Sequence, residues 1–282
     1  MKYEAAGNGV KMTEFDSFDI EHILECGQCF RFSKLGEKDY KIAAHGRVLR
    51  VTQSGGEVLF SPCSLLEFEK IWAGYFDLER DYSEIKKFLS KDEVMKKAVE
   101  FGGGIRILNQ ERFECILSFI ISQNNQIPRI KKCIGNLCEK YGADIGGEYA
   151  FPDISILAKL SEYDFNELRV GFRAKYLADA VYRIQNNLIN INCDDSYGEI
   201  KRELLDTKGI GAKVSNCILL FSFGKRASFP VDVWVRRVVE HFYFPEGNNE
   251  IEKWAAEKFG EYGGYAQQYL FYYARSLKIG KS

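Results

Sequence analysis

The sequence predicts an α+β protein in which a small antiparallel sheet precedes a larger helical region. Short apolar runs between glycine-bearing turns fill residues 40–61, whereas apolar residues recur with helical spacing from Arg112 onward. Three glycines at 102–104 separate the two patterns. We therefore expect a sheet-containing N-terminal domain at residues 1–101 and a helical domain at residues 102–282.

The strands are expected at residues 40–44, 48–52 and 58–61, where β-forming residues lie between turns. Two helical patterns complete the first domain, at residues 65–75 and 82–101. In the second domain, helical spacing is found at residues 113–121, 128–141, 154–160, 163–170, 174–187, 197–206, 212–223, 233–242, 250–260 and 264–277.

The composition is typical of a soluble globular protein, with 46% apolar and 28% charged residues. No run approaches the roughly 20 apolar residues that a membrane span requires. Residues 1–15 mix charges with glycines and lack the apolar core of a secretory signal. We expect a cytoplasmic monomer, or a nuclear one if the organism is eukaryotic.

The cysteines predict reduced thiols and no metal cofactor. They are Cys26, Cys29, Cys63, Cys115, Cys133, Cys138, Cys193 and Cys217. Cys26 and Cys29 form a single CxxC pair, and a zinc site would need a second pair. No cysteine follows Cys217, which excludes a C-terminal iron–sulfur cluster with four cysteine ligands.

Positive charge is concentrated in one part of a chain whose net charge is −1. Residues 201–241 contain eight Lys or Arg and four Asp or Glu, a local excess of four positive charges. This excess fits a nucleic-acid-binding surface, and it fits an ordinary solvated helical face equally well.

Residues 204–220 (LLDTKGIGAKVSNCILL) predict two helices joined by a tight hairpin. The first helix ends near Asp206, and Gly209 and Gly211 allow positive φ and close backbone approach in the turn. Ile210 between them would anchor the turn in the core. The backbone N–H groups that open the second helix can bind a phosphate, although an ordinary helical corner would have the same pattern.

Lys213 lies in the first turn of that second helix, where the positive end of the helix dipole disfavours a cation. Its presence there indicates either a phosphate contact or an amine activated as a nucleophile. Asp232, nineteen residues later, follows Pro230 and occupies a helix N-cap position. Besides capping, its carboxylate can face the amine and stabilise positive charge.

The hairpin with Lys213, followed by Pro230 and Asp232, resembles the helix–hairpin–helix–GPD superfamily of DNA glycosylases, in which the lysine marks bifunctional members. Further segments resemble the 8-oxoguanine DNA glycosylase family, and the resemblance runs from about residue 15 to residue 277. They are residues 25–31 (ECGQCFR), 118–130 (SFIISQNNQIPRI), 171–176 (GFRAKY) and 264–271 (GYAQQYLF).

This resemblance implies a TATA-binding-protein-like antiparallel sheet domain packed on an all-helical domain, with the lesion flipped out between them. Lys213 would attack C1′ of the damaged nucleotide and form a Schiff base, from which β-elimination nicks the strand. Asp232 would stabilise the positive charge that develops on the sugar. No cofactor is implied, and a structural monovalent or divalent cation at the hairpin is left open.

A flipped base needs stacking surfaces and hydrogen bonds along its edges. By resemblance, Phe271 and Cys217 form the stacking pair, and Gln267 binds the Watson–Crick edge. The backbone carbonyl of Gly27 would accept a hydrogen bond from N7–H. That proton exists in 8-oxoguanine and not in guanine, so this one acceptor can separate the lesion from the normal base.

The resemblance also implies contacts with the remaining DNA. Asn124, Arg129, Phe172 and Arg173 match residues that fill the gap in the stack and contact the orphan cytosine, although phosphate contact is an alternative for both arginines. Gly209 and Gly211 would bind the DNA backbone through the hairpin. The sequence departs from vertebrate members at Phe172, where they have tyrosine, and at Trp234, where they have a histidine that contacts the lesion's phosphate.

The sequence is thus interpreted as an 8-oxoguanine glycosylase and AP lyase that acts in base excision repair on duplex DNA, with cytosine opposite the lesion. One alternative is a glycosylase of the same superfamily for an oxidised pyrimidine or an alkylated purine. The other is a non-catalytic DNA-binding protein that uses the hairpin as a phosphate clamp. A Lys213→Gln variant separates the last case, since a clamp would lose affinity alone.

Overall fold

A computed structural model describes residues 1–192, 195–247 and 249–277. Within this part of the chain, six strands form one antiparallel sheet. They are β1 (Lys2–Ala6), β2 (Gly9–Thr13), β3 (Phe32–Gly36), β4 (Asp39–Ala44), β5 (Arg47–Ser54) and β6 (Glu57–Ser61). Their order in the sheet is β1-β2-β6-β5-β4-β3, and helix α1 (Ile20–Glu25) lies between β2 and β3 in sequence.

The predicted strands at residues 40–44, 48–52 and 58–61 are confirmed as β4, β5 and β6. Ser54 pairs with Glu57, so Gly55 and Gly56 form a two-residue hairpin turn, and both have positive φ (57° and 81°) as a type I′ turn requires. β1, β2, β3 and α1 were not predicted. Every residue of β1 before Ala6 is exposed, so this edge strand has no apolar alternation to indicate it.

The helices lie close to the expected positions. Leu65–Glu67 (α2), a π-helical turn at Phe68–Trp72 and Ala73–Tyr75 (α3) fill the first pattern. The second pattern is two helices, α4 (Tyr82–Leu89) and α5 (Glu93–Phe101), because the Asp92 side chain caps a new helix.

The helices of the second region follow the predicted order. They are α6 (Arg112–Ser122), α7 (Ile127–Tyr141), α8 (Ile154–Leu157), α9 (Glu162–Glu167), α10 (Ala174–Gln185), α11 (Tyr197–Leu205), α12 (Ala212–Ser222), α13 (Val233–Tyr243), α14 (Ile251–Phe259) and α15 (Gly263–Leu277), with 3₁₀ turns at Gly171–Arg173 and Gly260–Tyr262.

The buried apolar residues form two clusters. The sheet cluster is built on Tyr40, Phe60 and Trp72, and the helical cluster contains the apolar faces of α6 and α12. Residues of α4 and α5 belong to the helical cluster, as do Cys26 and Phe30. The division between residues 101 and 102 stays a prediction. None of the helices in the described part of the chain is long and apolar enough to cross a membrane.

The segment that follows α1 is attached to the helical region by a buried ion pair. The Arg31 guanidinium lies 3.1 Å from the Glu114 carboxylate on α6, and it also donates to the Tyr149 carbonyl. Burial raises the pKa of Glu114 to about 7, although Arg31 opposes the shift. Residues 26–31 are therefore held against α6 by charge as well as by packing.

The described cysteines are free, in agreement with the prediction of thiols. Burial raises the pKa of Cys26 to about 12 and that of Cys29 well above its ordinary value, so both thiols of the CxxC pair are protonated at neutral pH. Cys193 lies outside the described residues.

Candidate active site

A cavity of about 200 Å³ opens between the end of α1, the helices α6 and α12, the start of α13 and the middle of α15. It brings together seven of the predicted site residues. They are Gly27, Lys213, Cys217, Asp232, Trp234, Gln267 and Phe271. These residues are far apart in sequence, so their convergence comes from the fold.

The predicted hairpin joins α11 to α12. Ile210 is 4% exposed and anchors the turn in the core, as expected. Gly209 has a φ of +81°, and a Cβ there would overlap the Tyr176 ring, at 2.8 Å from Cε2 and closer to Cγ and Cδ2. Gly211 has a φ of −95° and open space around the Cβ position, so the positive φ that both glycines allow is adopted by Gly209 and not by Gly211.

The hairpin is fixed to α10 as well as to its own helices. The backbone N–H of Lys208 donates to the Asp179 carboxylate at 2.9 Å, and the Tyr176 ring packs against Gly209. Both partners lie on α10, one turn apart. The hairpin backbone is therefore held rigidly at the edge of the cavity.

Lys213 occupies the first turn of α12, as predicted, and its ammonium lies 5.7 Å from the centre of the Phe119 ring. Burial raises the pKa of the Cys217 thiol, while Lys213 lowers it and Asp232 raises it. Burial also raises the pKa of Asp232, against the Val235 N–H and the Lys213 charge. The charges of Lys213 and Asp232 thus both act on the Cys217 thiol, and the charge of Lys213 also acts on the Asp232 carboxyl group.

Asp232 caps α13, as predicted. Its Oδ1 accepts hydrogen bonds from the backbone N–H groups of Trp234 and Val235, at 3.0 and 2.8 Å. Both bonds use the same oxygen, which leaves Oδ2 outside the cap. The cap orients the carboxylate, and the same carboxylate lines the cavity with Lys213.

Gly27, Gln267 and Phe271 also line the cavity. Gly27 has a φ of +78°, and a Cβ there would lie 2.9 Å from Cε1 of Phe271, so backbone and ring are already in contact. Gln267 is 4% exposed, and its Oε1 accepts a hydrogen bond from Gln268 Nε2 at 2.8 Å. This bond leaves the Gln267 amide NH₂ to face a ligand.

Comparison with known proteins agrees with this geometry. The model of the 8-oxoguanine DNA glycosylase N-terminal domain matches residues 10–116, and that of the HhH-GPD superfamily base excision DNA repair protein matches residues 117–261. The crystal structure of the Clostridium acetobutylicum 8-oxoguanine glycosylase/lyase, in complex with double-stranded DNA containing cytosine opposite 8-oxoG, is 43% identical in sequence. The match covers 99% of each chain, with a TM-score of 0.95.

The chain belongs to the 8-oxoguanine DNA glycosylase/lyase family.

Two curated relatives support the same assignment. The protein named "Probable N-glycosylase/DNA lyase" from Methanothermobacter thermautotrophicus is 32% identical over 71% of this chain and 72% of its own length. N-glycosylase/DNA lyase OGG1 from Arabidopsis thaliana is 27% identical over 87% of this chain and 74% of its own length. The resemblance found in the motifs and the predicted fold class are both confirmed.

The four residues of this glycosylase that are predicted to fill the gap in the stack and contact the orphan cytosine lie outside the cavity lining. Asn124 and Arg129 are exposed, and Phe172 is 51% exposed with its ring packed edge-on against Tyr176. Arg173 is instead buried at 2% exposure. Its guanidinium donates to the carbonyls of residues 123, 124 and 170.

Arg173 therefore holds the loop that carries Asn124 in this conformation. Its contact with the orphan cytosine stays a prediction. Arg129, in contrast, has an exposed side chain.

Trp234 of the glycosylase lines the cavity beside Asp232, and the Arg237 guanidinium lies 5.4 Å from its ring centre. An indole offers a stacking face and one N–H donor, whereas a histidine offers two ring nitrogens. That Trp234 contacts DNA stays a prediction.

Sequence reasoning missed Gln28, although it lies within the motif at residues 25–31. Gln28 is completely buried. Its Nε2 donates to the carbonyls of Ile23 and Arg106, both at 2.8 Å, and its Oε1 accepts from the Leu108 N–H at 2.8 Å. The side chain thus fixes the backbone next to Gly27, a role that no local pattern indicates.

Proposed function

We propose that this chain excises 8-oxoguanine from duplex DNA and then nicks the strand, with Lys213 as nucleophile and Asp232 as the stabilising carboxylate. One observation supports this most strongly. One cavity is lined by Lys213, Cys217 and Asp232 and also by Gly27, Gln267 and Phe271. The first three include the groups for amine attack on a sugar, and the other three are groups that can recognise a purine.

The reaction follows from these positions. The nitrogen lone pair of the Lys213 amine forms a bond to C1′ as the bond between C1′ and the base nitrogen breaks, and the base leaves with the electron pair of that bond. Asp232 stabilises the positive charge on the sugar during this step. The sugar ring then opens to a Schiff base, loss of a C2′ proton follows, and the bond from C3′ to its phosphate breaks.

Selectivity for the lesion comes from the residues of the cavity that contact the base. The carbonyl of Gly27 accepts the N7–H that guanine lacks, and the base stacks between Phe271 and Cys217. Gln267 donates its free NH₂ to the Watson–Crick edge.

A borohydride-trapping experiment tests the function as a whole. Labelled duplex containing 8-oxoguanine opposite cytosine is mixed with the protein and borohydride, which reduces the Schiff base to a stable covalent adduct. We expect an adduct with this duplex and none with undamaged guanine at the same position. Specific binding without an adduct would contradict the lyase step.

Gln267→Ala is expected to weaken binding of the lesion duplex by about 1–3 kcal/mol, because a buried polar base edge loses its partner. The comparison variant is Gln267→Glu, which retains the acceptor for Gln268 but loses the NH₂ donor. Both variants should lose affinity in an equilibrium binding assay with 8-oxoguanine opposite cytosine. Unchanged affinity in both would remove Gln267 from base recognition.

Arg129→Ala is expected to flatten the preference for cytosine opposite the lesion, because an exposed guanidinium can donate to cytosine's acceptors. Excision is measured with each of the four bases opposite 8-oxoguanine. Lys132→Ala removes an exposed charge one turn along α7 and serves as the control. A uniform loss of excision in Arg129→Ala, with the cytosine preference retained, would indicate a phosphate contact instead.

A further inference from the structure

Arg275 lies on α15 together with Phe271 and Gln267, two residues that are proposed to recognise the base. It follows Phe271 by four residues and Gln267 by eight, so the three side chains project from one face of the helix. All three line the cavity. The mechanism above gives Arg275 no role, although a half-buried cation beside a binding site has a substantial desolvation cost.

The Arg275 guanidinium joins α15 to the end of α1. Its Nη1 donates to the carbonyl oxygen of Glu25 at 2.9 Å, and its Cζ lies 5.7 Å from the centre of the Phe271 ring. Glu25 is the last residue of α1, so its carbonyl has no acceptor role within the helix and needs a donor from elsewhere. That donor comes from the helix that carries Phe271 and Gln267.

Gly27 follows this anchored carbonyl by two residues. Its backbone is in contact with the Phe271 ring, since a Cβ would lie 2.9 Å from Cε1. A small shift at the end of α1 would therefore change the distance between the Gly27 carbonyl and a base stacked on Phe271. Gln28 restrains the same turn through residues 106 and 108.

We propose that Arg275 is a positioning residue for lesion recognition, which holds the carbonyl of Gly27 in register with Phe271 and Gln267. This inference rests on the proposed function. The lesion and guanine differ at N7 by a single hydrogen-bond donor, and a hydrogen bond weakens steeply as its distance and angle depart from the optimum. Discrimination between 8-oxoguanine and guanine therefore depends on how accurately the end of α1 is positioned relative to α15.

The first test compares excision with nicking. Arg275→Met retains the length of the side chain and its packing on Phe271 but removes every donor. We expect single-turnover excision of 8-oxoguanine to fall by about tenfold to a hundredfold, as for a misplaced reacting group. Nicking of a duplex with a preformed abasic site needs no base recognition, so it should remain close to the wild-type rate. Arg275→Lys retains a donor and should recover most of the excision.

The second test measures recognition alone. In a Lys213→Gln background, the ratio of dissociation constants for guanine and 8-oxoguanine duplexes should shrink when Arg275→Met is added. Arg275→Gln, which is too short to reach Glu25, carries the same expectation and replaces the methionine variant if that variant does not fold. Melting temperatures of all variants are recorded beside the binding data.

The outcomes are distinct. Equal losses of excision and abasic nicking in Arg275→Met would show a general structural or electrostatic role and overturn the inference, as would an unchanged ratio of dissociation constants. A wild-type protein that nicks abasic DNA without excising 8-oxoguanine would overturn the proposed function itself. That result is visible before any variant of Arg275 is made.

Discussion

Lys213→Gln is expected to abolish base excision and strand nicking while duplex binding is retained. Glutamine has a polar side chain of similar length but no amine that can bond to C1′. The residue lies in the first turn of α12, and α12 continues through Ser222, so the substitution leaves the helix and the cavity walls in place. The borohydride adduct seen with wild-type protein should be absent, and a gel-shift assay should still show the complex.

Lys208→Gln is the matched control for this experiment. Lys208 is a lysine of the same hairpin, its side chain is 73% exposed, and its ammonium lies 3.6 Å from Asp179 rather than in the cavity. Its loss removes the same charge, so it should weaken DNA affinity at most and keep the adduct. Excision by Lys213→Gln at the wild-type rate would disprove the nucleophile assignment. Loss of the adduct in both variants would indicate that hairpin charge, and not one amine, is required.

Gly209→Ala is expected to destabilise the hairpin and to weaken DNA binding. A side chain at a φ of +81° costs about 1–2 kcal/mol. Overlap of the new Cβ with the Tyr176 ring adds about 1–3 kcal/mol. Because Tyr176 also packs on Phe172, a displaced ring would disturb the predicted wedge as well as the phosphate-binding turn. Thermal unfolding and equilibrium binding to duplex DNA measure the two effects.

Gly211→Ala is the control, because it also removes a glycine from the hairpin but creates no overlap with a neighbouring side chain. Gly211 has an ordinary negative φ, and a Cβ there would contact nothing within 4 Å. Its melting temperature should therefore stay near that of the wild type, whereas that of Gly209→Ala should fall by several degrees. Equal melting temperatures for the two variants would show that neither the positive φ nor the Tyr176 ring opposes a side chain at residue 209.

The sequence predicts most of the helical region because its signals are local. Apolar spacing gives the period, and Asp232 marks a helix start through a side-chain cap that the structure confirms. β1 was missed because an exposed edge strand has no apolar face. The break between α4 and α5 was missed because Asp92 caps a helix inside one continuous amphipathic pattern.

The site was predictable to the extent that its residues lie in recognisable motifs. The convergence of Lys213, Cys217 and Asp232 could be expected from helix spacing and resemblance. The roles of Gln28 and Arg275 depend on backbone carbonyls of distant elements, which carry no signal in the sequence. Likewise, the guanidinium of Arg173 bonds to the carbonyls of its neighbouring loop, and burial of this kind depends on tertiary packing alone.

The short segment between α1 and β3 links the packing of the helical core to the lining of the lesion cavity in this glycosylase. Cys26 and Phe30 come from the sheet-bearing part of the chain, yet both are buried in the helical cluster, and both line the lesion cavity. A substitution at either residue would therefore act on substrate recognition and on the packing of the helical core at the same time.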